Sequence, residues 1–260
     1  MSVQPLLRDR DVLVVVPAYN EELALGAVLA ELRQVLPAYD VVVVDDGSTD
    51  GTRAEAQAGG AVVLSLPFNL GVGAAMRTGY QYAARHGYRA VVQVDADGQH
   101  DPRGVPALLA GLDHANIVIG ARFVAGGYRV RGPRRWAMRL LAWAVSHVAG
   151  HRLTDVTSGF RAIDVRALAL FSHSYPAEYL GDTVEALVVA ARAGLVVRQV
   201  DVSMRCRQAG RPSQSTLRST LYLVRAVLAL GLGLIRARGE VSSDILGIGT
   251  EVPRPVEVRL

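Results

Sequence analysis

Residues Val12–Leu36 read VLVVVPAYNEELALGAVLAELRQVL, and this stretch sets the fold. Val12–Val16 is a continuous apolar run without polar alternation, which predicts a strand buried on both faces. Pro17 ends it. Asn20 can cap the next helix, and Glu21 and Glu22 favour that helix's positive end. Leu25, Val28, Leu29 and Leu32 then give Glu21–Leu36 a helical repeat. A strand, a short polar loop and a helix in that order open a parallel β-α-β unit.

The pattern recurs outward. Val41–Val44, Ala61–Leu66, Ala90–Val94 and Ile117–Ile119 are further strand-like runs, and Val72–His86 and Pro102–Leu112 are helical. The alternation predicts an α/β fold: a mostly parallel sheet with right-handed crossovers, flanked by helices, binding ligands beyond the carboxyl ends of its strands. Later the chain changes character. Pro133–Ala149 is an amphipathic helix with Trp136, Leu140, Trp143, Ala144 and His147 on one stripe. That stripe suits either packing on the sheet, the reading preferred for Trp143, or the headgroup zone of a membrane. Gly181–Ala193 is expected as a helix, Leu195–Val202 as a strand and Ser215–Arg238 as a long apolar helix. The longest uncharged run of that last helix, Ala226–Ile235, falls well short of the roughly 18–20 residues that span a bilayer. The expected organisation is an extension at 1–10, one domain at 11–238 with a nucleotide-binding half (11–120) and an acceptor-binding half (121–238), and a loose tail at 239–260.

Composition narrows the chemistry. Half of the 260 residues are apolar and 20% are charged, enough to build a large core. All 28 basic residues are arginine, which excludes a P-loop lysine, a Schiff-base lysine and a Ser-Lys dyad. The single cysteine, Cys206, excludes an internal disulfide framework. The start MSVQPLLRDR lacks the apolar core of a signal peptide. The net charge of +4 hides an asymmetry: residues 1–113 carry 14 acids against 8 arginines, and residues 114–260 carry 10 acids against 20 arginines. An acidic first half suits a metal ion, and a basic second half suits phosphate groups, an anionic membrane surface or a plain solvated face.

The residues after each strand carry the chemistry. Gln93–His100 reads QVDADGQH. Asp95 and Asp97, two positions apart at a strand end, can converge on a hard cation, with Gln99 as a further oxygen ligand. Magnesium and manganese take such donors and share them with substrate phosphates. The same segment also fits a surface turn. Tyr19 and Glu21 can face a base and a ribose, and Asp45 or Asp46 can accept from a ring N–H. Asp50 is a natural helix cap, and Asn69–Gly73 is a glycine turn into a helix. His100, His147 and His151 show no metal-site spacing.

Together, VPAYNEE from Val16, VVDDGSTDGT from Val43, NLGVGAA from Asn69 and QVDADGQHDP from Gln93 resemble the family-2 glycosyltransferases of the GT-A fold. Asp155–Arg161 (DVTSGFR) and Met204–Ser213 (MRCRQAGRPS) are similar to segments of the dolichyl- and polyprenyl-phosphate mannosyltransferase-like branch. The resemblance covers roughly residues 11–235. It implies that Pro17, Tyr19, Glu21, Asp45, Asp46, Asp95 and Ala96 hold the nucleotide. It implies that Asp95, Asp97 and Gln99 hold Mg2+ or Mn2+, and that Arg122, Arg207 and Ser213 meet the phosphates or the acceptor. Asp97 is implied as catalytic through the metal. Asp182 is either a base or acceptor-orienting residue, or the N-cap of a capping box with Glu185. The sequence departs from the pattern at Val72, where the family often has lysine, and at Pro212-Ser213-Gln214.

The expected activity is inverting transfer of a sugar from a UDP- or GDP-sugar to a polyprenyl-phosphate acceptor. The alternatives are a soluble or polysaccharide hydroxyl acceptor, and a non-catalytic lipid- or partner-binding protein retaining the fold. A sugar-nucleotide pyrophosphorylase is disfavoured by the missing glycine-rich start and catalytic lysine. The expected setting is cytoplasmic, at the inner face of the cell membrane, with peripheral membrane contact, no nucleic-acid partner and homo-oligomerisation left open.

Overall fold

A computed structural model of the chain describes residues 11–121, 133–176 and 181–205. Among these, seven strands form one sheet: β1 (Val12–Ala18), β2 (Asp40–Asp45), β3 (Val62–Ser65), β4 (Ala90–Gln93), β5 (Ile117–Ala121), β6 (Arg161–Asp164) and β7 (Val197–Asp201). The helices are α1 (Glu22–Val35), α2 (Thr52–Ala58), α3 (Val72–Arg85), α4 (Val105–Gly111), α5 (Pro133–Ala149), α6 (Val165–Ser174) and α7 (Gly181–Arg192), with a 3-10 turn at Pro102–Gly104. The expected α/β architecture is present. Its bounds agree with the sequence reading to within a few residues, and α5 agrees at both ends.

The strand order is β3-β2-β1-β4-β6-β5-β7. β1 pairs in parallel with β2 and β4, β2 with β3, and β5 with β7. β6 alone runs antiparallel, between β4 and β5. Strands from both sides of residue 120 therefore share one sheet. The sequence pattern does not announce β6, α2 or α6.

Alternation along β1 explains its unbroken apolar run. Leu13 and Val15 enter one buried cluster, with Met76 and Tyr80 of α3, Leu141 and Val145 of α5, and Phe171 of α6. Val12, Val14 and Val16 enter the other, with Leu25, Val28 and Leu32 of α1 and Leu108 of α4. A strand covered on both faces needs no polar residue.

α5 corrects one expectation. Its buried face is Met138, Leu141, Ala142 and Val145, and it packs on α7. Trp143 is not in the core: it is 67% exposed, and Trp136 is 73% exposed. The residues that reach the core are the smaller ones on the opposite side. Among the described residues no helix is long and apolar enough to cross a membrane, and Ser215–Arg238 lies outside them.

Candidate active site

The carboxyl ends of β1, β2 and β4 lie along one edge of the sheet because the three strands are parallel. The antiparallel β6 brings its amino end to the same edge, with Arg161 opposite Gln93. Four loops that are distant in sequence therefore meet: 19–21, 45–51, 69–71 and 94–101, joined by the 155–160 segment.

The first two loops are clasped together. The Asn20 amide N–H donates to Ser48 Oγ (3.0 Å), and the Thr49 N–H donates to Asn20 Oδ1 (2.9 Å). Asn20 holds a left-handed φ of 54°, a conformation asparagine tolerates better than most residues. Its side chain thus ties loop to loop and does not cap α1. The Glu21 N–H donates instead to Thr52 Oγ1 (2.8 Å), and Glu22 Oε2 accepts from the Gly51 N–H (2.8 Å). Asp50 accepts from the Thr52 N–H (3.0 Å), but it is not the expected N-cap: that position is Gly51, without a side-chain cap bond, and Asp50 acts from one residue further out. Each helix start is satisfied partly by the other's loop.

Asp45 and Asp46 are both buried. Asp45 Oδ1 accepts from the Ser48 N–H (3.0 Å). The two oxygens of Asp46 accept from the Leu70 and Gly71 amides (2.8 Å each), so this carboxylate anchors the glycine turn that opens α3. Burial pushes the Asp46 carboxyl above its ordinary value; the two amide bonds offset part of this, and the neighbouring Asp45 adds to it. Glu21 is buried beside the clasp, Pro17 is half-buried, and Tyr19 is exposed at the edge.

The 94–101 loop is the most tightly built. Gly98 turns it with a φ of 75°, a region that favours glycine. Asp97 is 9% exposed, and its Oδ1 accepts from the Gln99 N–H (3.0 Å). Ala96 is buried and Gln99 half-buried. Gln93 Nε2 donates to Asp95 Oδ1 (3.0 Å), and the Asp95 N–H donates to His100 Nδ1 (3.0 Å). That bond assigns the ring proton to Nε2, which lies 3.5 Å from Asp95 Oδ2. The buried His100 ring stacks on Phe160, with centroids 4.8 Å apart. Spacing alone gives His100 no role; in the structure it grips Asp95 at two points.

Gly159 explains why a glycine precedes Phe160. A Cβ there would lie 2.8 Å from Gln93 Nε2 and 3.1 and 3.2 Å from the Asp95 carboxylate oxygens. The DVTSGFR segment thus closes directly on the first aspartate, leaving space for its carboxylate and nothing more. Arg161, 1% exposed, lies beneath and donates from Nη2 to the Ser158 carbonyl (3.2 Å).

A further latch holds the loop from outside. The Arg205 N–H donates to the Gln99 carbonyl (3.0 Å), and His100 forms a β-bridge with Met204. The Arg205 guanidinium binds Glu31 through both terminal nitrogens (2.7 and 2.9 Å) and Asp101 (2.9 Å). These carboxylates hold the guanidinium charge firmly, Glu31 most strongly.

The oxygen-rich donor set fits a hard divalent ion: two carboxylates, Asp95 and Asp97, and the Gln99 amide, with the Asp95 side chain still 35% exposed at the edge. Among the described residues no three His, Cys, Asp or Glu side chains converge as a metal site. A metal held by Asp95 and Asp97 would take further oxygen ligands, of which substrate phosphates and water are the common ones at magnesium sites. Arg122, Arg207 and Ser213 lie outside the described residues, as does the side chain of Asp182, whose backbone is in the first turn of α7.

The sequence profile of glycosyl transferase family 2 matches residues 13–174. The chain belongs to glycosyl transferase family 2. Among its family-2 relatives, the undecaprenyl-phosphate mannosyltransferase of Micrococcus luteus is 34% identical over 214 residues, covering 78% of this chain and 87% of that one. The polyprenol monophosphomannose synthase of Mycolicibacterium smegmatis is 31% identical over 259 residues, covering 92% and 94%. Among solved structures, glucosyl-3-phosphoglycerate synthase from Mycobacterium tuberculosis, in complex with Mn2+, uridine diphosphate and glucosyl-3-phosphoglycerate, superposes with a TM-score of 0.65 at 27% identity, covering 86% of this chain and 79% of that one. The protein is a glycosyltransferase of the GT-A fold, similar to the polyprenyl-phosphate mannosyltransferase branch of family 2.

Proposed function

We propose that this glycosyltransferase moves a sugar from a UDP- or GDP-sugar to a polyprenyl-phosphate acceptor, with inversion at the anomeric carbon, at the inner face of the cell membrane. The observation that carries the reading is the loop of Asp95, Asp97 and Gln99, held by Gln93, His100 and Gly159 at the edge where five chain segments meet. The lipid-phosphate acceptor is supported by the activities named for the Micrococcus and Mycolicibacterium relatives. A divalent ion is supported by the manganese in the solved neighbour. When bound, Mg2+ or Mn2+ supplies Lewis-acid neutralisation of the charge that builds on the departing diphosphate.

The chain's own residues do the positioning. Asp95 and Asp97 direct their carboxylates to the ion, and Gln99 adds an amide oxygen. Tyr19 and Pro17 border the base, Glu21 and Asp45 accept from the nucleoside, and Asp46 fixes the Leu70–Gly71 turn beside it. Arg122, Arg207 and Ser213 are assigned to the phosphates, and Asp182 to acceptor orientation. A phosphate monoester has a second pKa of about 6, so the acceptor is already a nucleophilic anion at neutral pH and needs no strong base. One direct displacement then inverts the anomeric centre.

The experiment is a donor screen. UDP- and GDP-sugars are incubated with the purified protein, Mn2+ or Mg2+, and undecaprenyl phosphate, a soluble hydroxyl acceptor or water alone. Label should pass into the lipid fraction in one donor series. Transfer only to the hydroxyl acceptor would replace the lipid reading with a soluble-acceptor one, and no turnover in any arm would favour a non-catalytic binding role.

A further inference from the structure

We propose that the outward face of α5 docks the enzyme on an anionic lipid bilayer. Trp136, Leu140 and Trp143, spaced at i, i+4 and i+7, form one stripe and are 73%, 48% and 67% exposed. Single exposed apolar residues are ordinary, but three large ones in a row are not. The opposite face of the helix, Met138, Leu141, Ala142 and Val145, is buried, so α5 keeps its place in the fold without the stripe. The described polar side chains that contact the two tryptophans are Arg139 and His147, neither of them an acid. Exposed Arg139 sits 5.7 Å over the Trp136 ring, and exposed His147 stacks on Trp143 at 6.2 Å.

Charge selects the occupant. From Ala115 to Thr154 the sequence has seven arginines and no carboxylate. Tryptophan prefers the headgroup level of a bilayer, arginine pairs with anionic headgroups, and a helix with one apolar and one anchored face lies in the interface plane. A second protein copy would bring the same positive charge against itself. The inference rests on the lipid-phosphate reading only for its purpose, which is to bring the site to a membrane-borne acceptor. Docking itself is read separately from transfer.

The chain has two tryptophans and both are on this stripe, so tryptophan emission, excited selectively over the nine tyrosines, reports on this face alone. The full-length protein is titrated with phosphatidylcholine vesicles and with vesicles of equal phosphatidylcholine and phosphatidylglycerol, all free of polyprenyl phosphate. With anionic vesicles the emission should shift to the blue and be quenched by brominated lipid; with neutral vesicles it should change little. Arg139→Gln should weaken partitioning by about fivefold, and Leu140→Asp by about tenfold or more. Both variants should keep wild-type turnover on a water-soluble short-chain prenyl phosphate. Vesicle binding without a change in emission, or binding untouched by Leu140→Asp, would overturn the proposal. So would tryptophans already shielded from acrylamide without vesicles. Shielding lost on dilution would name a second copy as the occupant, and shielding independent of concentration another segment of the chain. Docking without any lipid-phosphate transfer would defeat the acceptor reading and leave this one standing.

Discussion

Replacing Gly159 with alanine tests the construction of the Asp95–Asp97 loop without touching a proposed ligand. The added Cβ would meet Gln93 Nε2 at 2.8 Å and the Asp95 oxygens at 3.1 and 3.2 Å. Ordinary contact lies near 3.5 Å, so the amide must retreat by about 0.7 Å and the carboxylate by about 0.3 Å. Gln93 is buried, and its Nε2 is the donor to Asp95 Oδ1, so its retreat removes support from the group that is being pushed. Misplacement of reacting groups by about 1 Å costs on the order of a hundredfold in rate. A shift of a third to two thirds of that should lower kcat by roughly tenfold. Overpacking of this kind also costs about 1–3 kcal/mol of stability. The assay is steady-state transfer at a series of Mn2+ concentrations, with a thermal melt of the same preparation. The half-activating Mn2+ concentration should rise and kcat should fall. Wild-type kcat and metal response in Gly159→Ala would refute the close approach of the DVTSGFR segment to Asp95.

Three further outcomes are expected. Asp97→Asn should abolish detectable transfer while the cooperative melt survives, because the carboxylate's internal bond to the Gln99 amide can also be accepted by an amide oxygen; residual activity indifferent to a chelator would contradict the role. His100→Ala should leave the Asp95 N–H unpaired, at a cost of about 1–3 kcal/mol, and raise the Mn2+ requirement, whereas His100→Asn, which can still accept, should recover part of the metal response; equal behaviour of the two variants would make His100 merely a packing residue. For Asp101, burial pushes the carboxyl up, but the Arg103 amide and the Arg205 guanidinium pull it further down, leaving it below its ordinary 3.8. Its stabilising contribution is therefore present above about pH 3.8 and lost as the pH falls through the lowered value. Asp101→Asn should flatten the acid limb of the stability–pH curve, and an unchanged limb would show that the Arg205 latch adds nothing.

How legible each part was in the sequence depends on what each residue had to satisfy. β1, β2 and β4 lie between two helical layers, so Val12–Val16 and its counterparts could be apolar throughout and advertised themselves. β6 could not: its four residues are Arg161-Ala162-Ile163-Asp164, with charged ends, one buried opposite Gln93 and the other capping α6. Asp164 accepts from the Arg166 and Ala167 amides, and that Asp before an apolar helical run was a usable signal for α6. α2 spans only seven residues, too few for a clear period. α5 shows the limit of a stripe argument. The helix has apolar residues on both sides, and the periodicity places Trp136, Leu140 and Trp143 together without saying which side meets the core.

The candidate site was legible only through its context. Asp95 and Asp97 alone also fit a surface turn, and they stood out beside the polar loops that follow β1, β2 and β3. His100 did not stand out, since its contact with Asp95 requires the loop to fold back over five positions. The Asn20–Ser48–Thr49 clasp and the Glu22–Gly51 contact join residues about 28 or 29 apart and exist only once β1 and β2 are paired.

The central claim is that the Asp95–Asp97 loop receives a divalent ion together with the donor's diphosphate. Crystals grown with Mn2+ and a nucleoside diphosphate, measured at a wavelength where manganese scatters anomalously, test it most directly. The account predicts one strong anomalous peak between the two carboxylates and the diphosphate, absent from Asp97→Asn crystals. A diphosphate bound at this edge with no manganese beside the loop, or manganese bound elsewhere, would contradict it.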